Sequence, residues 1–122
     1  MFDFAFLVSA IILVLVDYAY MYLMKGYFAN QVKKVQGDPI NVNLLATAIC
    51  YIFLILGLNY FIIKPRRSVQ DAFLLGLVIY GVYETTNWAL FKNWSIFTVI
   101  LDTLWGGFLF GFTTFIVHLL HL

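Results

Sequence analysis

The sequence predicts an all-α integral membrane protein, a four-helix up-and-down bundle that forms a single transmembrane domain over residues 1–122. Two observations lead to this prediction. Only 11% of the residues are charged and the mean hydropathy is +0.96, whereas a soluble domain has about 25% charged residues. Four apolar runs also follow one another, and each is close to the roughly 20 residues that one helical crossing needs.

Local signals set the limits of these helices. The first run ends in closely spaced Tyr residues, typical of a membrane interface, and the second ends at Lys64-Pro65-Arg66-Arg67. Ser68 can cap the third helix and Ser95 the fourth. Short connections follow the second and third helices, so consecutive helices should be antiparallel neighbours. The four helices are expected at about 4–24, 44–63, 68–91 and 96–120.

The connection over residues 25–43 is the longest and most polar. Its apolar residues recur at helical spacing and are separated from polar ones, which fits a short helix lying in the interface. The expected apolar face is Tyr27, Phe28, Val32 and Val35, and the expected polar face is Asn30, Gln31, Lys33 and Lys34.

Charge gives little further information about partners or orientation. The formal net charge is +1, so we expect a lipid bilayer as partner and no nucleic acid. Four basic residues fall on the face of the first and third connections and three on the face of the termini. This near balance leaves the topology open.

Three carboxylates lie inside the apolar runs: Asp17, Glu84 and Asp102. An ionisable residue in a bilayer costs at least ~2.5–3.5 kcal/mol, and no Lys or Arg shares these runs. With a 1.5 Å rise per residue and alternating helix directions, all three fall in the membrane half next to residues 25–43. Residues that lie on or next to the same helix face as an acid belong to the same candidate site. The candidate ligand- or cation-binding residues are therefore Asp17, Tyr80, Glu84, Asn87, Asp102 and Trp105.

Such a cluster could hold a proton, a metal ion or a cationic substrate. A metal would be a hard cation such as Mg²⁺, Ca²⁺ or Mn²⁺, because no His or Cys is expected in this layer; no cofactor is predicted. In the alternative, the acids only form interhelical hydrogen bonds that fix helix register. The expected pairs are then Asp17 with Tyr20 or Tyr22, Glu84 with Thr47 or Trp105, and Asp102 with Asn87.

Two glycines in the fourth helix, Gly107 and Gly111, have the small-xxx-small spacing that permits close approach of helices. We expect this spacing to serve helix packing, with homodimerisation as an alternative.

Three segments carry a resemblance to a known family: Asp17-Tyr18-Ala19-Tyr20, Tyr80-Gly81-Val82-Tyr83-Glu84-Thr85-Thr86-Asn87 and Asp102-Thr103-Leu104-Trp105-Gly106. They resemble the D-x-x-W, Y-x-x-Y-D-x-T-N and D-x-x-W-G motifs of small four-helix predicted membrane proteins of unknown function, found in bacteria and some large DNA viruses. This chain differs from the motifs at two positions, where Tyr20 replaces the usual Trp and Glu84 replaces the usual Asp. The resemblance implies that the three acids are one shared feature, but it implies no activity.

Two functions remain open. The first is a small proton- or cation-coupled carrier or polar-ligand binder that uses the buried acids. The second is a structural or assembly membrane protein, including a virion membrane component associated with a capsid. Either could form a homo-oligomer or a larger membrane assembly, in a cell membrane or a viral internal membrane. An enzyme is disfavoured, since there is no nucleophile–base pair, phosphate-binding loop or embedded His.

Overall fold

The computed structural model describes residues 2–122, and every regular element in that range is helical. The helices are α1 (Phe4–Leu23), α2 (Lys25–Gln36), α3 (Leu44–Leu58), α4 (Val69–Leu90) and α5 (Ile96–Leu119). A five-residue π-helical segment, Asn59–Ile63, continues α3 without a break. The four long helices, counting α3 with its π segment as one, begin and end within one residue of the expected bounds.

Side-chain caps define the start of each long helix. Ser68 accepts a hydrogen bond from the Asp71 N–H and Ser95 accepts one from the Phe97 N–H. Asp3 and Asn43 cap α1 and α3 in the same way. These side chains satisfy N–H groups that the first turn of a helix leaves unpaired. The boundaries therefore follow from local chemistry that is visible in the sequence.

The prediction of a plain four-helix bundle is correct only in part. Three helices are long and apolar enough to cross a bilayer: α1, α3 with its π segment, and α5. The 22-residue α4 is less apolar because it carries Asp71, Glu84 and Asn87. The connection between α1 and α3 contains the fifth helix, α2. Three apolar helices in so short a chain make it an integral membrane protein.

Glycines bring α4 and α5 into close antiparallel contact. A Cβ atom added to Gly76 would overlap the backbone carbonyl of Gly106, and one added to Gly106 would overlap the Tyr80 ring. Gly107 lies against Phe73 in the same interface, with Gly111 one turn further along. The Gly107 and Gly111 pair thus packs α5 onto α4 within one chain.

The remaining helices are arranged around α5. Helix α1 packs between α5 and α3, whereas α3 and α4 share no extensive contact although they are consecutive. The expectation that they are neighbours is therefore wrong. Polar contacts direct α3 to α1 instead, including an amide-to-hydroxyl bond of 2.9 Å from Asn59 to Ser9. Residues 41–50, which include the first half of α3, are exposed.

Helix α2 lies across the end of the bundle where α4 connects to α5. The buried Gln31 donates to the Asn93 carbonyl at 2.8 Å, and its carbonyl oxygen accepts from the Thr98 hydroxyl at 2.7 Å and the Ser95 N–H at 3.1 Å. Tyr27 reaches the same Thr98 hydroxyl at 2.6 Å. The placement of Gln31 on the polar face is thus wrong, because its amide fits the unpaired groups of the α4–α5 connection.

Candidate functional site

The three acids belong to a set of aromatic and acidic side chains that joins all four long helices. We call this set the acid layer, and its members are Asp17, Tyr20, Tyr51, Glu84, Trp94, Asp102 and Trp105. All three carboxylates are buried, with 7%, 1% and 7% of the surface of Asp17, Glu84 and Asp102 exposed. The ion pair found among residues 2–122 joins Arg67 to Asp71 and involves none of them.

Asp17 on α1 accepts hydrogen bonds from aromatic side chains on two other helices. The Trp105 indole N–H of α5 donates to Oδ1 at 2.8 Å, and the Tyr51 hydroxyl of α3 donates to Oδ2. Both carboxylate oxygens therefore have a donor. Asp17 ties together the three helices that are long and apolar enough to cross the bilayer.

Glu84 on α4 and Asp102 on α5 are neighbours across the interface of these two helices. Each also has an aromatic donor of its own. The Trp94 indole N–H donates to Glu84 at 2.9 Å, and the Tyr20 hydroxyl donates to Asp102 at 3.3 Å. Because an ionised carboxylate only accepts hydrogen bonds, a direct bond between the two acids needs one shared proton.

A stacked aromatic pair connects Asp17 with these two acids. The Tyr20 and Trp105 rings stack with centroids 4.1 Å apart and an interplanar angle of 6°. Each ring turns its polar group to a different acid: Trp105 to Asp17 and Tyr20 to Asp102. The structure thus brings Glu84 and Asp102 together and joins Asp17 to Asp102 through the stacked rings.

The other candidate residues lie beside this arrangement. Tyr80 packs over Gly106, and Asn87 is buried on α4 one turn beyond Glu84. The predicted interhelical pairs are wrong in their partners. Thr47, for example, is exposed and donates to the Asn43 carbonyl of its own helix at 2.9 Å.

Sequence reasoning placed neither Tyr51 nor Trp94 beside the acids. A signal for Tyr51 exists, since it is a hydroxyl-bearing residue in the middle of the apolar run of α3. A buried Tyr hydroxyl usually finds a hydrogen-bond partner. Trp94 lies ten residues from Glu84, across the α4–α5 connection, and only the path of that connection brings the two together.

The motif-bearing helices also match a described family. The family "Predicted membrane protein (DUF2177)" matches residues 2–119. The chain belongs to this family. No curated protein and no solved structure matches the chain significantly. Membership identifies the chain as a membrane protein, and the family has no assigned function. The side chains of the acid layer are therefore the basis for a functional proposal.

A metal centre is not formed by the side chains that the structure describes. Within residues 2–122 no group of three or more His, Cys, Asp or Glu side chains is placed to bind a metal ion. The side chains of the acid layer are joined by hydrogen bonds from Tyr and Trp donors to the carboxylates.

The α2 helix contacts the acid layer directly. Phe28 meets the Tyr20 ring edge to face, with centroids 5.8 Å apart. Gln31 holds the same helix to the α4–α5 connection that carries Trp94. The end of the bundle nearest Glu84 and Asp102 is therefore covered by α2.

Replacing Gln31 with alanine should release α2 from the bundle. The substitution removes the partners of the Ser95 N–H and the Asn93 carbonyl, and an unsatisfied buried polar group costs about 1–3 kcal/mol. Hydrogen exchange of α2 amides should therefore become roughly 10 to 100 times faster. Gln36→Ala is the matched control, because Gln36 is exposed and contacts only the nearby Asp38 and Pro39 carbonyls. Equal exchange in both variants would contradict the prediction.

Proposed function

We propose that the protein is a small proton-coupled membrane carrier for a cationic or polar solute, with Glu84 and Asp102 as the proton-binding pair. The observation that supports this most directly is the contact between two buried carboxyl groups on α4 and α5. No cationic side chain forms an ion pair with either acid in the described part of the chain. Intramembrane acids of this kind are used as proton relays.

The aromatic donors would change the proton affinity of this pair without forming an ion pair with it. Trp94 and Tyr20 each donate one hydrogen bond to one acid. Neutral donors stabilise a carboxylate less than a paired Lys or Arg does, because they bring a hydrogen bond without an opposite charge. The pair can therefore take up and release a proton while each acid keeps a partner.

A route for the proton follows from the position of Trp94. This residue is half-buried and lies in the short connection between α4 and α5, at the surface of the bundle. Its N–H contacts Glu84 directly. We infer that the pair exchanges its proton at this end and that undocking of α2 widens the access.

Proton movement in reconstituted vesicles tests the proposal. Vesicles with a trapped pH indicator receive a panel of organic cations and polar solutes, and the expected result is a proton flux that depends on one class of solute. Glu84→Gln and Asp102→Asn should abolish that flux, while both amides keep an acceptor for the Trp94 and Tyr20 donors. Asp71→Asn serves as control, since Asp71 lies at the opposite end of α4 in a partly exposed pair with Arg67. Wild-type flux in Glu84→Gln would refute the assignment.

A structural or assembly role is the second candidate. Its support is that each acid already has internal partners, which suits bonds that only fix helix register. Residues 41–50 also present an exposed surface to lipid or to another protein, such as a coat in a virion membrane. Crosslinking from this segment to a partner at fixed stoichiometry would favour the role. A freely diffusing monomer would count against it.

A further inference from the structure

A polar pocket lies at the end of the bundle opposite the α4–α5 connection. It has a volume of about 160 Å³ and is formed where the start of α1, the end of the π segment and the end of the chain meet. Four polar residues line it, Asp3, Asn59, Lys64 and Arg66, with Ala5, Ile63 and Leu122 as the apolar wall. Pockets for drug-sized ligands are about 300–1,000 Å³, so this one suits a single small polar group.

The ends of the membrane-span helices predict that the pocket lies at the level of the lipid headgroups. The two membrane-span helices that form the pocket meet at this end of the bundle, since α1 begins at Phe4 and the span formed by α3 and the π segment ends at Ile63. The basic turn at residues 64–67 follows directly. Basic residues next to the end of a membrane helix are placed to meet lipid phosphates.

The charged groups of the pocket form no ion pair within residues 2–122, and Asp3 also caps α1 by accepting from the Phe6 N–H at 3.0 Å. The ion pair seen in residues 2–122 joins Arg67 to Asp71 at 3.3 Å, which leaves Lys64, Arg66 and Asp3 without a charged partner there. Two cationic side chains and one carboxylate side chain thus line one small space. A phosphate takes hydrogen bonds from Lys and Arg, and an ammonium group gives them to a carboxylate.

Backbone geometry fixes this arrangement of charges. The Lys64 N–H donates to the Asn59 carbonyl at 2.8 Å, five residues back, which is the π-helical pattern. Arg66 then has a positive φ of 57°, and the Arg67 N–H returns to the Ile62 carbonyl at 2.8 Å. This tight turn leaves Lys64 and Arg66 lining the pocket while Arg67 pairs with α4.

The floor of the pocket is also preformed. Asn59 is buried, with 2% of its surface exposed, and its amide donates to the Ser9 hydroxyl at 2.9 Å and the Ile55 carbonyl at 3.0 Å. The two bonds hold the amide in one orientation. The polar floor of the pocket is therefore already ordered before a ligand binds.

We propose that this pocket binds the headgroup of a zwitterionic, amine-bearing phospholipid such as phosphatidylethanolamine. Lys64 and Arg66 bind the phosphate, and Asp3 binds the ammonium group. The charge pattern selects this class: phosphatidylglycerol lacks the cation for Asp3, and phosphatidylcholine lacks N–H groups that could donate to it. The site is separate from the acid layer, so it does not depend on the proposed carrier function.

Lipid binding to the purified full-length chain in detergent, measured by native mass spectrometry, tests the proposal. Phosphatidylethanolamine should bind about tenfold more tightly than phosphatidylglycerol or phosphatidylcholine, as expected for one hydrogen bond to a charged group. Asp3→Asn should remove the preference over phosphatidylglycerol while it keeps the helix cap, since Asn caps as well as Asp. The Lys64→Gln/Arg66→Gln double variant should weaken the binding of both phosphatidylethanolamine and phosphatidylglycerol by about tenfold or more.

Arg67→Gln is the matched control, because it removes a neighbouring charge that does not line the pocket. Its lipid affinities should equal those of the wild type. Equal affinities for all three lipids, or an unchanged preference in Asp3→Asn, would overturn the proposal. Displacement of phosphatidylethanolamine by inorganic phosphate at equal concentration would also overturn it, because the site would then recognise free phosphate rather than a lipid.

Discussion

Gly76→Ala is expected to lower the free energy of unfolding by about 3 kcal/mol, the upper part of the usual range for overpacking. The added methyl group would overlap the backbone carbonyl of Gly106 and the Cβ atom of Phe110. A backbone carbonyl inside a helix cannot move aside as a flexible side chain can. Helices α4 and α5 would therefore have to separate along their shared interface.

Other glycines provide matched controls for the same substitution. A Cβ atom on Gly57 meets nothing within 4 Å, and Ala is favoured over Gly in a helix by roughly 1 kcal/mol. Gly57→Ala should therefore leave stability unchanged or raise it. Gly81→Ala should fall between the two, because its Cβ would meet only the Thr103 methyl group at 3.4 Å. Unfolding in mixed micelles with increasing dodecyl sulfate, followed by circular dichroism, measures all three.

The order of the three variants decides whether the prediction holds. If Gly76→Ala is as stable as Gly57→Ala, the close approach of α4 and α5 does not contribute to stability. The same result would weaken the assignment of Glu84 and Asp102 as a pair, because this interface brings the two acids together. Stability and the proposed proton binding would thus both depend on one helix contact.

Helix limits could be predicted because they depend on neighbours in sequence. Run length, the caps at Ser68 and Ser95 and the stop at Lys64-Pro65 are all local signals. The membrane half of the acids follows from the rise per residue once helix directions alternate. Contacts of Tyr20 with Phe28 and of Glu84 with Trp94 place the acid layer beside α2 and the α4–α5 connection.

Partner choice could not be predicted, because it depends on how each helix is rotated and which helices touch. The sequence offers Tyr20 or Tyr22 for Asp17, yet the structure uses Tyr51 on α3 and Trp105 on α5. Gln31 looks like a surface residue by its polarity, and it is buried because the α4–α5 connection has groups to satisfy. Both results need the tertiary arrangement, which periodicity does not contain.

Removing both hydrogen-bond donors of Asp17 is expected to cause the second large loss in the free energy of unfolding. Trp105→Phe keeps a ring that can stack on Tyr20 and removes the indole N–H, and Tyr51→Phe removes only a hydroxyl. If each bond were worth the average of ~0.6 kcal/mol found between membrane helices, the double variant would lose about 1.2 kcal/mol. An unpartnered acid in the bilayer costs at least ~2.5–3.5 kcal/mol. We expect the larger loss, because Asp17 is 7% exposed and cannot recover its bonds from water.

A double-mutant cycle isolates this contribution. In an Asp17→Ala background the Tyr51→Phe/Trp105→Phe change should cost less than about 0.5 kcal/mol, since no buried acid is left to satisfy. Tyr60→Phe is the control for loss of a Tyr hydroxyl, because Tyr60 is 57% exposed. A loss near 1.2 kcal/mol that persists without Asp17 would mean that the two aromatic residues act by packing alone. The large, Asp17-dependent loss would instead assign Asp17 to holding α1, α3 and α5 together and leave proton binding to Glu84 and Asp102.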